Sequence, residues 1–428
     1  MKIAVIGAKD LTVKPEEIDH YCQKLYLEIA AKGHQVDFFI APSYHQPSLS
    51  ISYYHQIRII TLLSIPGTQS NFLLNSALNT ICATFGKYDV IHVHSMAAAW
   101  FLWFPRLFSD SSIVVTSHQL EHRQSDWNRF WRRLLPRMEK TAARNADEVI
   151  VTSRELSNYF RRKYGINPQY IANAPASYDL PDLSYDCNQA HGIDNRKYLL
   201  YWGKVEPDNK LDLLIRAFQQ LPPHNWLLVV IGGIDSNPEY ASNTLSIVKE
   251  QDNIIFLGDA RGNALAEIIS GANIFVEPSA RTDFSLPMTL LEMMRQGIPI
   301  LGSDTIARRQ LLQDRGLLFK SGQLDSLVTQ LEYAMSEPAL LAVMARNAQR
   351  YIAVNHNWDK VVYQNLFLYI QLTSNLSPQA EKNRAFNREG RADIGAEFHM
   401  YPPLSNLDGH TSWGDSKTRL SHNQGIDN

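Results

Sequence analysis

The residues best suited to chemistry lie at 276–304, where the sequence predicts a strand, a loop, a helix, a glycine turn and a second strand. Ser285, Leu286 and Pro287 are predicted to open the helix. Proline is favoured at a first helical position because its missing N–H would have no partner there in any case. The free N–H groups of a helix N-terminus attract anions. We therefore predict that a diphosphate binds beside Ser285 and Leu286.

Glu292 lies between one and two turns further along the same predicted helix. From that position its carboxylate could accept two hydrogen bonds from the hydroxyl groups of a ribose beyond the phosphates. Leu290, Leu291, Met293 and Met294 give this residue an apolar setting. The alternative interpretation is a solvated helix residue, because glutamate is common in helices.

A second candidate anion contact follows the strand predicted at 197–203. Gly203 forms the turn that leaves this strand, and Lys204 comes directly after it. Ligands of open α/β sheets bind at the carboxyl ends of the strands, so the ammonium group of Lys204 could meet phosphate oxygens. The alternative interpretation is an ordinary surface lysine.

Three histidines cluster near the ends of two predicted strands. His92 and His94 are two residues apart on one strand and so share a face, and His118 ends the next strand. We predict that His94 lines a cleft and contacts a sugar or orients an acceptor, while His92 is structural. Three imidazoles could bind zinc, but the parallel α/β context argues against a metal site.

His118 and Glu121 share the loop after that second strand and are predicted to contact an acceptor. The alternative is that these two side chains hydrogen-bond each other and only stabilise the loop.

A helix that combines aromatic and basic residues is predicted at 127–144. Its aromatic and apolar residues fall at helical spacing, and five basic residues lie between them: Trp127, Phe130, Trp131, Leu134 and Met138, with Arg129, Arg132, Arg133, Arg137 and Lys140. Such a helix can lie on an anionic membrane. The alternative is an amphipathic helix that packs on the sheet.

The elements that position these residues are strands buried on both faces, alternating with helices. Continuous Val and Ile runs are typical of parallel sheets. In the first half we predict strands at 2–7, 35–41, 56–63, 89–94, 112–118 and 148–153, with helices between most of them. In the second half we predict strands at 197–203, 225–233, 253–258, 273–279, 298–304 and 316–320. The fold class is α/β, with two facing Rossmann-like, doubly wound domains and a cleft between them.

The domain boundaries follow from where this alternation lapses. Residues 1–175 form the first domain, residues 176–195 a linker and residues 196–356 the second domain, while residues 374–428 are polar and predicted to be mostly disordered.

Composition limits the class of partner and the compartment. The chain has 428 residues, 45% of them hydrophobic, and a formal net charge of -2, which gives no reason to expect nucleic acid as a partner. Cys22, Cys82 and Cys187 have neither even pairing nor metal-ligand spacing, so we expect a reducing compartment. No signal peptide is recognisable, and the longest apolar run, 96–104, is about half of the ~20 residues that span a bilayer. We expect a cytoplasmic protein; peripheral contact with the inner face of the membrane is left open.

The two stretches of the second half resemble the donor-binding half of family-4 GT-B glycosyltransferases. The residues that match the pattern of that family are Gly203, Lys204, Pro207, Pro278, Ser279, Phe284, Leu291, Glu292, Met294, Gly297, Pro299, Ser303 and Asp304. In the first half, residues 88–94 resemble the histidine-tipped strand of the family. The loop from Thr116 to Trp127 resembles that of members that extend bacterial polysaccharides. Trp358 matches the point where the last helix, 357–373, crosses back to the first domain. The resemblance covers residues 1–373.

The resemblance implies transfer of a hexosyl group from a nucleotide-diphosphate donor, such as a UDP- or GDP-sugar, to a glycan or lipid-linked acceptor. It further implies retention of anomeric configuration. No Asp-x-Asp metal motif stands where a GT-A-type enzyme would have one, so we expect neither a metal nor any cofactor other than the donor substrate. Lys204 and the helix N-terminus would hold the diphosphate, Glu292 the ribose, Asp283 the donor sugar, and His94 the reacting centre.

The chain also departs from the family pattern in its donor site. Phe284 stands eight positions before Glu292, where the family has a glutamate, so Asp283 is the nearest acid. Lys204 replaces an arginine and Asn209 a lysine, and residues 14–18 replace a Gly-Gly loop that would let a phosphate approach the backbone closely.

These departures leave two other classes of function open. One is a non-catalytic GT-B-like subunit that binds a nucleotide or a partner protein without transferring sugar. The other is a nucleotide-sugar epimerase on the same fold.

Overall fold

The computed structural model describes residues 1–8, 17–40, 49–62, 69–123, 127–176, 193, 196–234, 238–249, 251–260, 262–282 and 284–374. Outside the described residues lie Asp283, most of the predicted linker, residues 14–16 of the replaced glycine loop, and the predicted tail beyond residue 374. Residue contacts group residues 1–380 into one compact unit, to which all described residues belong.

The first half contains an eight-stranded sheet in the order β3-β4-β2-β1-β5-β6-β7-β8. Its strands are β1 Lys2–Ile6, β2 Gln35–Ile40, β3 Ser50–Tyr54, β4 Ile57–Thr61, β5 Val90–Val93, β6 Ser112–Ser117, β7 Glu148–Val151 and β8 Gln169–Tyr170. All neighbours pair in parallel except β3 and β4. Sequence patterns did not predict β3 or β8. The edge strand β3 is largely exposed and so lacks the continuous apolar run of a buried strand.

Five α-helices of the first half connect these strands: α1 Glu17–Ala31, α2 Gln69–Phe85, α3 Trp103–Phe108, α4 Arg129–Asn145 and α5 Arg154–Tyr164. On α1 the buried side chains include Tyr21, Leu25 and Tyr26, at the spacing that puts them on one face. On α5 the Ser153 side chain accepts from the N–H of Leu156 and caps the helix.

The second half contains a six-stranded sheet, parallel throughout its described pairings, in the order β11-β10-β9-β12-β13-β14. Its strands are β9 Tyr198–Trp202, β10 Leu227–Ile231, β11 Ile254–Gly258, β12 Ile274–Glu277, β13 Ile300–Ser303 and β14 Leu317–Phe319. The order reverses between β9 and β12, and in the first sheet it reverses between β1 and β5. Such reversals open a crevice at the carboxyl ends of the strands, where ligands bind.

Helices cover both faces of the second sheet: α6 Leu211–Gln219, α7 Pro238–Lys249, α8 Gly262–Ser270, α9 Met288–Gln296, α10 Ile306–Leu312, α11 Leu324–Ser336 and α12 Pro338–Asn355. The helix expected to bind the diphosphate is α9. It begins at Met288, after the three residues predicted to open it, with Pro287 at the N-cap rather than inside the helix. It ends at Gly297, whose left-handed backbone (φ 74°) lets its N–H reach the last carbonyls.

The last described helix, α13 Trp358–Ser374, packs on α1 in the first half. Val361, Val362 and Tyr369 are buried in the same core as β1 and α1. The indole N–H of Trp358 donates to the carbonyl of Pro175 at 2.9 Å. None of the described helices combines the length and the apolar character needed to cross a bilayer.

Candidate active site in the interdomain cleft

His92 is held in the core of the first half by three hydroxyl groups. Its Nδ1 hydrogen-bonds the hydroxyls of Tyr26 (2.8 Å) and Tyr369 (2.5 Å), and its Nε2 hydrogen-bonds Oγ1 of Thr116 (2.7 Å). Burial lowers the pKa of His92 to about 3, with a smaller effect from the nearby His118. The predicted structural role of His92 agrees with these contacts.

His94 does not line an open cleft, contrary to the prediction. Only 1% of the residue is exposed. Its Nε2 hydrogen-bonds the Tyr26 hydroxyl at 2.7 Å, and its Nδ1 lies 3.2 Å from Nε2 of His118. Burial, followed by the charges of His92 and His118, holds the pKa of His94 well below its usual value. The imidazole is therefore neutral, and both of its nitrogens are engaged within the cluster.

His118 is the only one of these three histidines that keeps partial exposure. Its ring contacts the ring of Tyr21 edge-on, with 4.9 Å between centroids, and burial lowers its pKa to about 3. Sequence reasoning missed Tyr21 and Tyr26 because each contacts strands far from it in the chain. Across the described part of the chain, no group of three or more His, Cys, Asp or Glu side chains is arranged to hold a metal ion.

The Glu121 carboxylate binds backbone rather than pointing freely at an acceptor. Its two oxygens accept from the N–H groups of Met96 (2.8 Å) and Ala97 (3.0 Å), just after β5. Burial raises the pKa of Glu121, and these hydrogen bonds oppose the rise. The Nε2 of His118 pairs with His94, so the alternative of a mutual hydrogen bond between His118 and Glu121 does not describe these contacts. The contact with an acceptor stays a prediction.

The turn after β9 has the close backbone approach expected of an anion-binding loop. The N–H of Gly203 donates to the carbonyl of Ile231 at 3.0 Å. A Cβ at Gly232 would lie 1.9 Å from the carbonyl oxygen of Gly203, so only glycine fits there. Lys204 is exposed at the tip of this turn. Sequence analysis did not single out Gly232, although it is the last residue but one of the strand predicted at 225–233.

Two side chains stabilise the same turn through one carbonyl. The hydroxyl of Tyr201 and the amide Nδ2 of Asn209 donate to the carbonyl oxygen of Lys204, at 2.9 and 3.0 Å. Asn209, which stands where the family pattern has a lysine, thus fixes the backbone that carries Lys204.

The N-terminus of α9 already holds an anion that belongs to the protein. Ser285 and Leu286 lie in the preceding loop, partly buried, and the Pro287 N-cap offers no side-chain acceptor. The N–H of Met288 instead donates to Oε1 of Glu17 at 2.5 Å. A carboxylate from the first half therefore sits where a diphosphate is predicted.

Glu292 is fully buried, in the apolar setting that the sequence indicates. Its carboxylate is nevertheless paired: Arg295 donates Nε to Oε2 (2.9 Å) and Nη2 to Oε1 (2.7 Å), and Gln296 donates to Oε1 (2.9 Å). This bidentate pair, one turn along the helix, fixes the carboxylate and neutralises its charge.

A buried ion pair anchors the start of the loop between β12 and α9. Arg308 donates Nη2 to Glu277 (2.7 Å) and Nη1 to the carbonyl of Ser279 (2.9 Å) and the hydroxyl of Ser303 (2.7 Å). Sequence reasoning missed Arg308 because the residue is 31 positions after Glu277 and sits in an ordinary helical pattern.

The middle of the same loop contacts the first half of the chain. Phe284 has a left-handed backbone (φ 63°), and its carbonyl accepts from the hydroxyl of Ser153 at 2.9 Å. Arg123 donates to the carbonyl of Thr282 at 2.7 Å, and its guanidinium lies 4.9 Å from the Phe284 ring centroid. Asp283, predicted to contact the donor sugar, lies outside the described residues.

Two family models match the chain in succession. Glycosyltransferase Family 4 matches residues 18–178, and Glycosyl transferases group 1 matches residues 187–351. The chain is similar to a D-inositol 3-phosphate glycosyltransferase from Rhodococcus opacus, with 23% identity over 72% of each protein. It is also similar to a phosphatidyl-myo-inositol mannosyltransferase from Mycobacterium leprae, with 24% identity over 66% of this chain and 74% of that protein.

Solved structures share the fold. A sucrose-phosphate synthase from Thermosynechococcus elongatus superposes with a TM-score of 0.76 at 22% identity, covering 87% of this chain and 99% of that one. Anabaena HepE in complex with UDP and glucose superposes with a TM-score of 0.68 at 16% identity, covering 87% of this chain and all of that one. The fold of this chain is thus shared with both structures.

Proposed function

The chain belongs to the GT-B glycosyltransferases of family 4 and group 1, and on that premise we propose that it transfers a hexosyl group from a nucleoside-diphosphate sugar to a glycan or lipid-linked acceptor. We further propose that transfer retains the anomeric configuration and needs no metal. The single observation that carries this proposal is the carboxylate of Glu17 at the N-terminus of α9, because it identifies that N-terminus as an anion site beside the reversal of strand order.

In this proposal the donor diphosphate binds between the N-terminus of α9 and Lys204. Lys204 is exposed on a turn that Gly232 and Asn209 hold rigidly, so its ammonium can approach phosphate oxygens from the end of β9. Oriented N–H groups and a fixed cation stabilise the charge that develops on a leaving diphosphate.

We assign the donor ribose to Glu292. The bidentate pair with Arg295 would orient the carboxylate so that it can accept hydroxyl hydrogen bonds without reorganising. Glu292 is fully buried, so the residues that cover it must move before a ribose can bind there. The UDP and glucose in the HepE complex support a nucleotide and a sugar as the ligand class of this fold.

At the reacting centre, His118 is better placed than His94 to touch a ligand, because His118 alone of the two is partly exposed. We propose that His118 contacts the acceptor or the donor sugar, and that His94 positions the His118 ring through their 3.2 Å contact. Asp283 keeps its predicted assignment to the donor sugar. In a retaining front-face reaction, positioning and leaving-group stabilisation supply most of the rate enhancement.

Peripheral membrane contact fits a lipid-linked acceptor, and one surface of the first half supports it. We define the outer face as the exposed apolar side chains of α2 and α3 together with the basic residues of α4. Phe85, Trp103 and Phe108 are exposed, and Phe104 joins Phe85 to Phe108 with ring centroids 6.0 and 4.8 Å apart. The exposed residues of α4 include Phe130, Arg129, Arg132, Arg133, Arg137 and Lys140. Helix α3 contacts α4, and a surface that combines exposed apolar and basic side chains suits an anionic bilayer.

A donor screen tests the proposed function. Purified protein is warmed with UDP-, GDP- or ADP-hexoses, and the unfolding temperature is recorded with and without EDTA. A donor at 100 times its Kd adds about 2.7 kcal/mol of stability, so one nucleotide class is expected to raise the temperature clearly. The anomeric configuration of the product, read by NMR, then tests retention.

A non-catalytic GT-B-like subunit is the second candidate. The observations that favour it are Phe284 in place of an acid and Lys204 in place of an arginine. Slow hydrolysis of a sugar nucleotide by the wild-type protein, lost in a Lys204→Ala/Glu292→Ala double variant, would exclude this candidate.

A further inference from the structure

The helix at the proposed donor site is capped by a residue from the other half of the molecule. Glu17 is the first residue of α1, and Oε1 accepts from the N–H of Met288, the first residue of α9, 271 positions later. Pro287 supplies no side-chain cap. Since a helix N-terminus attracts negative charge, this carboxylate stabilises α9 in the absence of a ligand.

The loop that leads into α9 is held by the same half of the chain. The hydroxyl of Ser153 donates to the carbonyl of Phe284, and Arg123 donates to the carbonyl of Thr282. Phe284 has a left-handed backbone, which residues with a Cβ adopt only where surrounding contacts hold them. From Thr282 to Met288, the described residues of this segment therefore contact the first half at three places.

A diphosphate and the Glu17 carboxylate cannot occupy the N-terminus of α9 together. Both would use the N–H of Met288, and both are negatively charged, so they repel each other at short distance. Glu17 is an exposed residue at the N-terminal end of α1. Its side chain can therefore leave Met288 without disturbing the buried face of that helix.

We propose that Glu17 is an internal competitor of the donor, so that a nucleotide diphosphate binds only as the carboxylate leaves Met288. This inference rests on the proposed function. When a donor binds, the hydrogen bond between Glu17 and Met288 breaks. This bond is one of those that join the two halves, so donor binding weakens the contact between the halves.

Calorimetric titration with UDP, GDP and ADP tests this inference in the full-length protein. We compare the wild type with Glu17→Ala and Glu17→Gln. Glu28→Ala and Glu28→Gln serve as matched controls, because Glu28 is an exposed acid on the same helix and changes the net charge equally. Glu17→Ala is expected to bind the preferred nucleotide about fivefold more tightly, because the nucleotide no longer competes with the carboxylate for the N–H of Met288. Glu17→Gln should fall between it and the wild type, and the controls should match the wild type.

The outcomes separate the two proposals. If the wild type binds a nucleotide and Glu17→Ala binds it equally or more weakly, Glu17 is only a structural cap and the inference is overturned. If Glu17→Ala binds and the wild type does not, the competition is stronger than expected and the inference is supported. If neither binds any of the three nucleotides, the proposed function fails and this inference fails with it.

Discussion

Gly232 lies against the carbonyl of Gly203 so closely that a Cβ on Gly232 would stand 1.9 Å from that oxygen. The contact joins the end of β10 to the turn that carries Lys204. Because the neighbour is backbone, it cannot rotate away as a flexible side chain would, and the turn must shift to admit any larger residue.

Gly232→Ala should therefore displace the Lys204 turn and weaken donor binding. We expect a loss of stability of more than about 2 kcal/mol, because overpacking against backbone forces strain into both loops. Gly322→Ala is a suitable control, since its Cβ would meet nothing within 4 Å and only its left-handed backbone (φ 74°) is penalised. Urea unfolding and nucleotide titration measure both effects. Equal losses in the two variants would show that the close approach is unimportant.

Glu292→Ala should weaken nucleotide binding at least about tenfold, since a charged hydrogen bond contributes roughly 1.5–3 kcal/mol. Arg295→Ala leaves the carboxylate buried without its bidentate partner, so it should lower stability as well as affinity. Titration with UDP and GDP measures the affinity of each variant, and thermal unfolding measures its stability. Unchanged nucleotide affinity in Glu292→Ala would show that Glu292 does not bind the ribose.

The sequence predicted most strands of the two sheets and the helix of Glu292, because those depend on local patterns. Continuous apolar runs mark parallel strands, and the loop, helix and glycine of α9 follow each other in sequence. The hydrogen bond between Glu17 and Met288 could not be predicted from the sequence, because it depends on how two distant segments pack together. For the same reason the burial of His94 was missed: the hydroxyl of Tyr26, on α1, hydrogen-bonds both His94 and Tyr369, on α13.

Stability should fall as the pH drops below about 6.5. Burial lowers the pKa of His92 and His118 to about 3, and that of His94 also lies well below its usual value. Unfolded histidines titrate near 6.5, so below that pH the unfolded chain binds more protons than the folded one. The stabilisation is complete above pH 6.5 and is lost towards pH 3, at up to about 1.4 kcal/mol per pH unit for each group.

Urea unfolding at pH 7.5, 6.0 and 5.0 measures this dependence. His92→Asn should flatten the slope between pH 6.5 and 5, whereas His55→Gln should leave it unchanged, because His55 is exposed. His356, whose pKa burial lowers to about 4, contributes in the same direction and remains in both variants. The same slope in His92→Asn as in the wild type would contradict the assignment.

The buried pair of Glu277 and Arg308 should be far more sensitive than an exposed pair. Glu277→Ala leaves the Arg308 guanidinium buried without its carboxylate, which typically costs about 3–5 kcal/mol. The exposed pair of Asp304 and Arg309 is the matched comparison, and Asp304→Ala should lose far less stability because water screens that pair. Chemical denaturation measures the free energy of unfolding of the two variants. Similar losses of stability would mean that the buried pair does not anchor the loop after β12.

The outer face of α2, α3 and α4 should bind anionic vesicles. We expect the protein to co-sediment with phosphatidylglycerol vesicles and to co-sediment little with phosphatidylcholine vesicles. Reversing Arg132 and Arg133 to Glu should lower binding at least about tenfold, at roughly 1 kcal/mol for each basic residue near the surface. Phe85→Ser/Phe108→Ser should also lower it. Tyr363→Ser, an exposed aromatic on α13, is the control. Vesicle binding that none of these changes affects would rule out this surface.

The most direct test of the central claim is release of nucleoside diphosphate from a panel of UDP-, GDP- and ADP-hexoses, measured with the wild type and with Lys204→Ala and Glu292→Ala. We predict slow release from one nucleotide class by the wild type, faster release when a suitable acceptor is added, and a large loss of release in both variants. No release from any donor, or release that both variants retain in full, would contradict a donor site formed by Lys204, Glu292 and the N-terminus of α9.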